Sequence, residues 1–482
     1  MLLSALKLLR YGLGNPVSRQ ILSLGLSLCD DCEMTRLEHA MTIYLGKANA
    51  NSLSCRVYSS LLSTLFDLGL SAFDVERHSF SEYFSEPVTR RGLLAVVRGI
   101  ARYGVTKPQL LEAPFLVVWN LTDACNLRCR HCYQTAGSKK PDELSTDEKL
   151  KVVEELAEAG VVSIAFSGGE PLMARDFFDV ASKVKEKGMH LAIATNGTLI
   201  THDVARRLKA LGTDYVEVSL DFPDAEKHDD FRGVKGAFER TLQGIQNCIA
   251  EGIFTCIATT VTKLNFQEIS KIIELAKRLK VRRFIAFNFI PTGRGIDAAE
   301  LDLTPEQREQ LLTQLFHENS VGGIEVLSTA PQYARVSLES SGGVNVAPTH
   351  FYLGEASWDL KVLAEFIGGC GAGRLYCALQ PNGDVSPCVF MPNLEVGNLR
   401  KERFMDIWHY SQVLARLRDR SSLRGNCGKC EYRFICGGCR ARALAYFNDI
   451  LAQDPGCVRN TLYLDSTSVG SRVLKSSSLI KS

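Results

Sequence analysis

The sequence predicts an α/β chain: a partial (β/α)6 TIM-like barrel with a helical domain before it and a cysteine-rich domain after it. Three observations predict this. Apolar, β-rich segments alternate with amphipathic helical ones six times between about residues 115 and 290. The first 110 residues are helical in texture. Eight cysteines crowd residues 370–457. Alternation at this spacing implies a parallel sheet with right-handed crossovers. In such barrels the chemistry sits at the C-terminal strand ends.

A chain of 482 residues is long enough for two or three domains with cores of their own. Its 45% hydrophobic and 23% charged content is that of an ordinary globular protein. A net charge of +2 gives no field for nucleic acid or a membrane surface, and neither is expected as a partner. Sixteen cysteines are many, yet a disulfide framework belongs to a much shorter secreted chain. Lys7 and Arg10 interrupt the first apolar stretch, so it does not read as a signal peptide, and no apolar run has bilayer length. These features favour a cytoplasmic setting with thiols used for metal.

The elements follow in order. In residues 1–110, MLLSALKLLR, VSRQILSLGLSL, MTRLEHAMTIYLG and VYSSLLSTLFDLGL carry helical periodicity with Gly or Pro between them. The first could lie on a membrane surface, but packing within a small helical domain is the preferred reading. No strands are read here. Cys29 and Cys32 form a CxxC, and Cys55 stands alone. Without a fourth thiol nearby they read as buried or incidental cysteines, with a further cluster or a redox pair as alternatives. Strands are expected at 115–122, 161–167, 189–195, 214–221, 253–262 and 282–290 of the 115–300 core. Helices are expected at 145–159, 174–187, 201–211, 235–251 and 267–279, the first opened by a Ser145/Glu148 capping box. In the connecting region 301–369, LTPEQREQLLTQLF reads as a helix with Pro in its first turn, and 320–357 stays unassigned. Residues 370–460 form the cysteine-rich domain, and the Ser-rich 461–482 reads as a flexible tail.

Chemistry concentrates first in Asn120–Tyr133, NLTDACNLRCRHCY, which leaves the end of the first strand. Cys125, Cys129 and Cys132 can hold only a compact metal centre. Three thiolates are one short of the four that an iron–sulfur cube takes, so one iron stays open to an outside ligand. Zinc is the rival, but zinc sites usually pair two knuckles and this loop has no fourth cysteine. The other strand ends carry Gly168-Gly169-Glu170-Pro171, Thr195-Asn196-Gly197, Ser219-Leu220-Asp221 and Ile290-Pro291-Thr292-Gly293-Arg294. Each alone is a turn; together they point to a ligand site. The glycine pair lets backbone approach a ligand, and Glu170 can accept hydrogen bonds from an ammonium. The eight C-terminal cysteines could serve two clusters of four ligands each, or two zinc ions. Cys427–Cys439 packs four thiols more tightly than paired zinc knuckles do. Cys377 to Cys388 reads as a hairpin turning at Asn382-Gly383.

The cysteine loop, closed by the aromatic Tyr133, resembles the cluster motif of the radical S-adenosylmethionine (SAM) enzymes. The resemblance covers about 115–300. It implies a [4Fe–4S] cluster on Cys125, Cys129 and Cys132 whose open iron chelates SAM. It further implies that Gly168, Gly169 and Glu170 grip the SAM amino group and that Asn196, Ser219 and Asp221 contact the ribose. Arg232 would meet the carboxylate and Ile290 the adenine, with Tyr133 beside the cluster. The C-terminal cysteines resemble the SPASM extension. Mapped onto it, Cys370, Cys377, Cys388 and Cys439 would hold one auxiliary [4Fe–4S] cluster, and Cys427, Cys430, Cys436 and Cys457 a second. One departure is the two-residue gap Gly437-Gly438, where many members have three. The implied activity is reductive cleavage of SAM to a 5′-deoxyadenosyl radical that abstracts hydrogen from substrate. An electron would come from a low-potential donor such as ferredoxin or flavodoxin. A peptide or protein substrate is the preferred reading, because two full auxiliary clusters are commonest among the family's peptide modifiers; it would dock partly on the N-terminal helices. A tetrapyrrole or other small molecule is the alternative. An iron–sulfur electron carrier without SAM chemistry is a third, against which the intact Gly168–Pro171 segment argues.

Overall fold

A computed structural model describes residues 11–29, 32–49, 52–72, 86–343 and 365–463. The expected first helix and most of the expected tail lie outside the described residues. In the N-terminal part, helices run over Pro16–Gly25, Arg36–Tyr44, Leu53–Ala72 and Pro87–Tyr103. Local chemistry starts two of them. Asn15 accepts from the Ser18 amide with Pro16 at the first turn, and Thr35 and Glu38 cap each other reciprocally. Their apolar faces build a separate core around Leu22, Leu37, Met41, Leu62, Phe66 and Val97.

The expectation of no strands here is corrected. Strands β1 (Leu28–Cys29) and β2 (Cys32–Thr35) pair as an antiparallel ribbon. At two and four residues they are too short to show a period of two in the sequence.

The barrel holds the six expected strands: β3 (Leu116–Asn120), β4 (Ser163–Ser167), β5 (His190–Thr195), β6 (Tyr215–Ser219), β7 (Thr255–Val261) and β8 (Arg283–Asn288). The five expected helices follow them, over Thr146–Ala159, Phe177–Glu186, His202–Ala210, Ala237–Ala250 and Ile269–Arg278, and Ser145 and Glu148 do form the capping box. Four more strands extend the sheet: β9 (Glu325–Ser328), β10 (Tyr376–Leu379), β11 (Asp384–Ser386) and β12 (Gly397–Asn398). The order is β12-β11-β10-β3-β4-β5-β6-β7-β8-β9, parallel from β10 to β9 and antiparallel at the other end. β3 pairs with β10 and β4, so the barrel is open. Alternate residues such as Val117, Trp119, Ile164 and Phe166 face outward and bury against Val153 and Leu156 of the crossover helices. The opposite residues, Val118, Ala165 and Glu217 among them, line the lumen and stay half-exposed. The helix Pro305–Val321 forms as expected with Thr304 as its cap. Among the described residues no helix is long and apolar enough to cross a membrane.

Two polar joints fix the flanking parts to the barrel. Arg91 donates to Val161 O and Ala157 O, both at 2.7 Å, satisfying carbonyls at the end of the helix Thr146–Ala159. Asp302 pairs with Arg308 at 2.8 Å and with Arg442, from the helix Arg440–Phe447. All three are buried. Burial pushes the Asp302 carboxyl up, but the two guanidiniums outweigh it and hold the group below its usual value of 3.8. Its ionic stabilisation is therefore complete above the unfolded value and is lost as pH falls through the depressed one. Asp302→Ala leaves two buried guanidiniums without their carboxylate and is expected to cost about 3–5 kcal/mol. A thermal midpoint equal to that of the wild type would contradict this.

Candidate active site at the strand ends

The cysteine loop is held at its base by one carboxylate. Glu143 accepts from Thr122 Oγ1 at 2.9 Å, the Asp123 amide at 2.9 Å and the Lys140 amide at 3.1 Å. The Cys125 amide donates to Gly137 O at 2.9 Å, closing the loop on itself. Further along, the Arg128 and Arg130 amides donate to Arg232 O and Phe231 O at 3.0 and 3.1 Å. These bonds anchor the loop to the end of the helix Ala225–Arg232. Arg294 donates to Cys129 O at 3.1 Å, and the Gly295 amide to Cys132 O at 2.9 Å.

The three thiols lie together. Burial pushes Cys125 up to about 12; the Leu127 amide, 3.5 Å from its sulfur, acts against this, and the nearby Cys129 and Cys132 add to it. Burial also raises Cys129, opposed by Arg232, whose guanidinium lies 3.7 Å from the sulfur. Such donors favour thiolate and would tune a bound centre. An all-sulfur donor set of three fits an iron–sulfur cluster.

Gly168 and Gly169 pack against this loop. A Cβ on Gly168 would lie 2.6 Å from Thr122 O, and one on Gly169 would lie 2.2 Å from Ala124 O. Gly168 also takes φ +123, a conformation that favours glycine. The close approach that the pair permits is therefore to the cysteine loop itself, through Gly169 N to Thr122 O at 2.7 Å and Glu170 N to Ala124 O at 2.8 Å. Glu170 is fully buried and accepts from Thr195 Oγ1 at 2.7 Å, the Asn196 amide at 2.8 Å and the Leu172 amide at 3.3 Å. Burial raises its carboxyl to about 7 against these donors. Three of about four lone-pair sites are thus taken, which leaves about one for a ligand.

The remaining expected residues divide. Asn196 donates to Asn126 of the loop at 2.9 Å, tying β5 to the cysteines. Asp221 is fully buried and accepts from Arg232 at 2.6 Å and from the Thr260 amide at 2.9 Å. Burial disfavours the Arg232 charge, yet Asp221 and Cys129 hold that guanidinium above its ordinary value. Tyr133 donates to Asn120 at 3.0 Å and meets Ser167 at 2.8 Å, bridging the ends of β3 and β4. Ser219 ends β6, half-buried. Ile290 packs with Cys370, Cys388 and Cys439. Sequence reasoning passed over His131, which stacks on Phe231 at 4.2 Å and lies 3.7 Å from Asp221. Its signal was its place within the cysteine run.

Six of the C-terminal thiols fall into two groups. Cys370, Cys388 and Cys439 line one cavity with Tyr376. Burial pushes Cys388 up to about 12, with Cys370 adding to it. Burial likewise raises Cys436, and Cys457 and Cys427 contribute, so these three also neighbour one another. Asp454, also missed, stands between the groups. Its carboxylate accepts from the Cys439 amide at 2.6 Å, while its own amide donates to Cys427 Sγ at 3.4 Å.

Cys377 is a correction. It lies in β10, where side chains alternate between faces. Tyr376 faces the cavity; Cys377 is fully buried on the opposite face, in the main core with Trp408 and Leu414. It does not join Cys370, Cys388 and Cys439. Cys377→Ser is therefore expected to leave iron content unchanged, whereas Cys388→Ser loses roughly four irons, one cube. Equal iron loss in the two variants, measured by elemental analysis, would return Cys377 to the ligand set.

The chain is similar to named families and proteins. The family model described as the radical SAM superfamily matches residues 119–301. SPASM, described as an iron–sulfur cluster-binding domain, matches residues 370–431. The chain is 38% identical over 354 residues to the AdoMet-dependent heme synthase of Methanosarcina barkeri, covering 72% of this chain and 97% of that one. It is 32% identical over 360 residues to the mycofactocin maturase MftC of Mycobacterium tuberculosis, covering 72% and 84%. Among solved structures, Streptococcus suis SuiB bound to the precursor peptide SuiA aligns with a TM-score of 0.63 at 16% identity, covering 87% of this chain and 92% of that one.

Proposed function

Because this chain belongs to the radical SAM superfamily and carries its SPASM extension, we propose that it abstracts hydrogen from a tetrapyrrole at the open end of the barrel. It is an enzyme with a [4Fe–4S] cluster and SAM as cofactors and iron–sulfur binding in its SPASM domain. Cys125, Cys129 and Cys132 hold the SAM cluster. Cys370, Cys388 and Cys439 hold one auxiliary cluster, and Cys427, Cys430, Cys436 and Cys457 the other. When bound, cluster and SAM together supply reductive carbon–sulfur cleavage and a carbon-centred radical able to take hydrogen from an unactivated position. Glu170 offers its remaining lone pair to the SAM ammonium. Arg232, oriented by Asp221, supplies positive charge beside Cys129. Gly168 and Gly169 keep the strand ends close against the cysteine loop. A low-potential donor such as ferredoxin or flavodoxin delivers the electron.

One observation carries the substrate class: 38% identity that runs through 97% of a heme synthase. The displacement of Cys377 adds to it, because the case for peptide rested on eight auxiliary ligands and seven remain. The test uses full-length reconstituted protein with SAM and a reductant. An iron porphyrin with free propionates is expected to raise 5′-deoxyadenosine formation and to change mass in step with it. Stimulation by a peptide and not by any tetrapyrrole would overturn the assignment. Peptide modification stays as the second reading because of the 32% identity to the maturase MftC.

A further inference from the structure

Three side chains far in sequence from every cluster cysteine converge inside the N-terminal domain. Cys29 ends β1, His39 lies in the first turn of the helix Arg36–Tyr44, and Cys55 lies in the first turn of the helix Leu53–Ala72. Their exposures are 8%, 5% and 5%. The two sulfurs lie 3.4 Å apart, and His39 Nδ1 lies 4.0 Å from one and 3.8 Å from the other. A disulfide would bring the sulfurs to about 2.05 Å. Tetrahedral zinc, with bonds of about 2.3 Å to sulfur and 2.0–2.1 Å to nitrogen, would separate sulfur from sulfur by about 3.8 Å and sulfur from nitrogen by about 3.5 Å. The observed separations lie within about 0.5 Å of those for one ion shared by three ligands. A cube spreads its ligands over separate irons and needs more room than three donor atoms all within 4.8 Å of one another provide.

We propose that Cys29, His39 and Cys55 together form a structural zinc site. Two sulfurs and an imidazole on a buried tetrahedral centre suit zinc over magnesium or calcium, which take oxygen. With all three donors at 8% exposure or less, the site is walled off from solvent, as structural zinc sites are. The ion would pin the ribbon to two helices in a domain whose own core is small.

The test is metal analysis of full-length protein grown with zinc and iron. About one zinc per chain is expected alongside the iron. Cys29→Ser, His39→Ala and Cys55→Ser are each expected to lose the zinc and keep the iron. His39→Cys is expected to retain it. Should a variant fail to fold, cobalt exchanged into the wild type reads the same site. Tetrahedral thiolate–cobalt bands are then expected, and their absence would overturn the site. Zinc-free wild type, a Cys29–Cys55 disulfide by mass spectrometry, or zinc unaffected by both His39→Ala and Cys55→Ser would also overturn it.

Discussion

Cys125→Ala is expected to abolish reductive cleavage of SAM while the SPASM domain keeps its iron. Each cube depends on its own thiolates. Cys125 stands in a loop whose fold rests on Glu143, Gly137 and Arg232 and owes nothing to the C-terminal cysteines. Three cubes correspond to roughly 12 irons per chain, so removing Cys125, Cys129 and Cys132 together should cost about a third. The single variant removes one of only three protein ligands. Two thiolates in a site open on the SAM side give too little to hold a cube through turnover. Formation of 5′-deoxyadenosine at the wild-type rate by Cys125→Ala would remove the loop from the chemistry.

The second large effect belongs to a residue with no functional group. Gly169→Ala places a carbon 2.2 Å from Ala124 O and 2.7 Å from Ala124 C. Both are backbone atoms of the cysteine loop, so no side chain can swing away. Either the loop or the end of β4 must move, and the bonds from Gly169 N and Glu170 N to that loop go with it. Loss of the SAM cluster with retention of the auxiliary iron is expected, together with a lowered thermal midpoint. Gly188→Ala is the contrast. There the added carbon meets nothing within 4 Å, at φ +68, so only left-handed strain of about 1–2 kcal/mol remains. Full iron in Gly169→Ala would show that the loop tolerates displacement.

Much of this was legible in the sequence, for identifiable reasons. The six barrel strands announce themselves because each is a short apolar run, and the first five are each followed by an amphipathic helix of ordinary length. The cysteine loop is legible because its ligands are adjacent in sequence. What escaped depends on contacts between distant segments. β9 is four residues long and joins the sheet only because β8 offers it an edge. The parity of β10 decides that Tyr376, and not Cys377, faces the auxiliary cavity; counting cysteines cannot reveal it. Gly168 and Gly169 were read as space for a ligand, whereas most of that space is filled by the neighbouring loop. His39 hides within a helical pattern, and only the fold brings it to Cys29 and Cys55.

Electron paramagnetic resonance of the reduced protein, with and without SAM, tests the central assignment most directly. SAM should perturb the signal of one cluster in the wild type and leave the auxiliary signals unmoved. In the Cys125/Cys129/Cys132→Ala variant that signal should be absent, and SAM should change nothing that remains. A SAM-induced shift that persists in the triple variant would place the SAM-binding iron elsewhere in the chain and contradict the account.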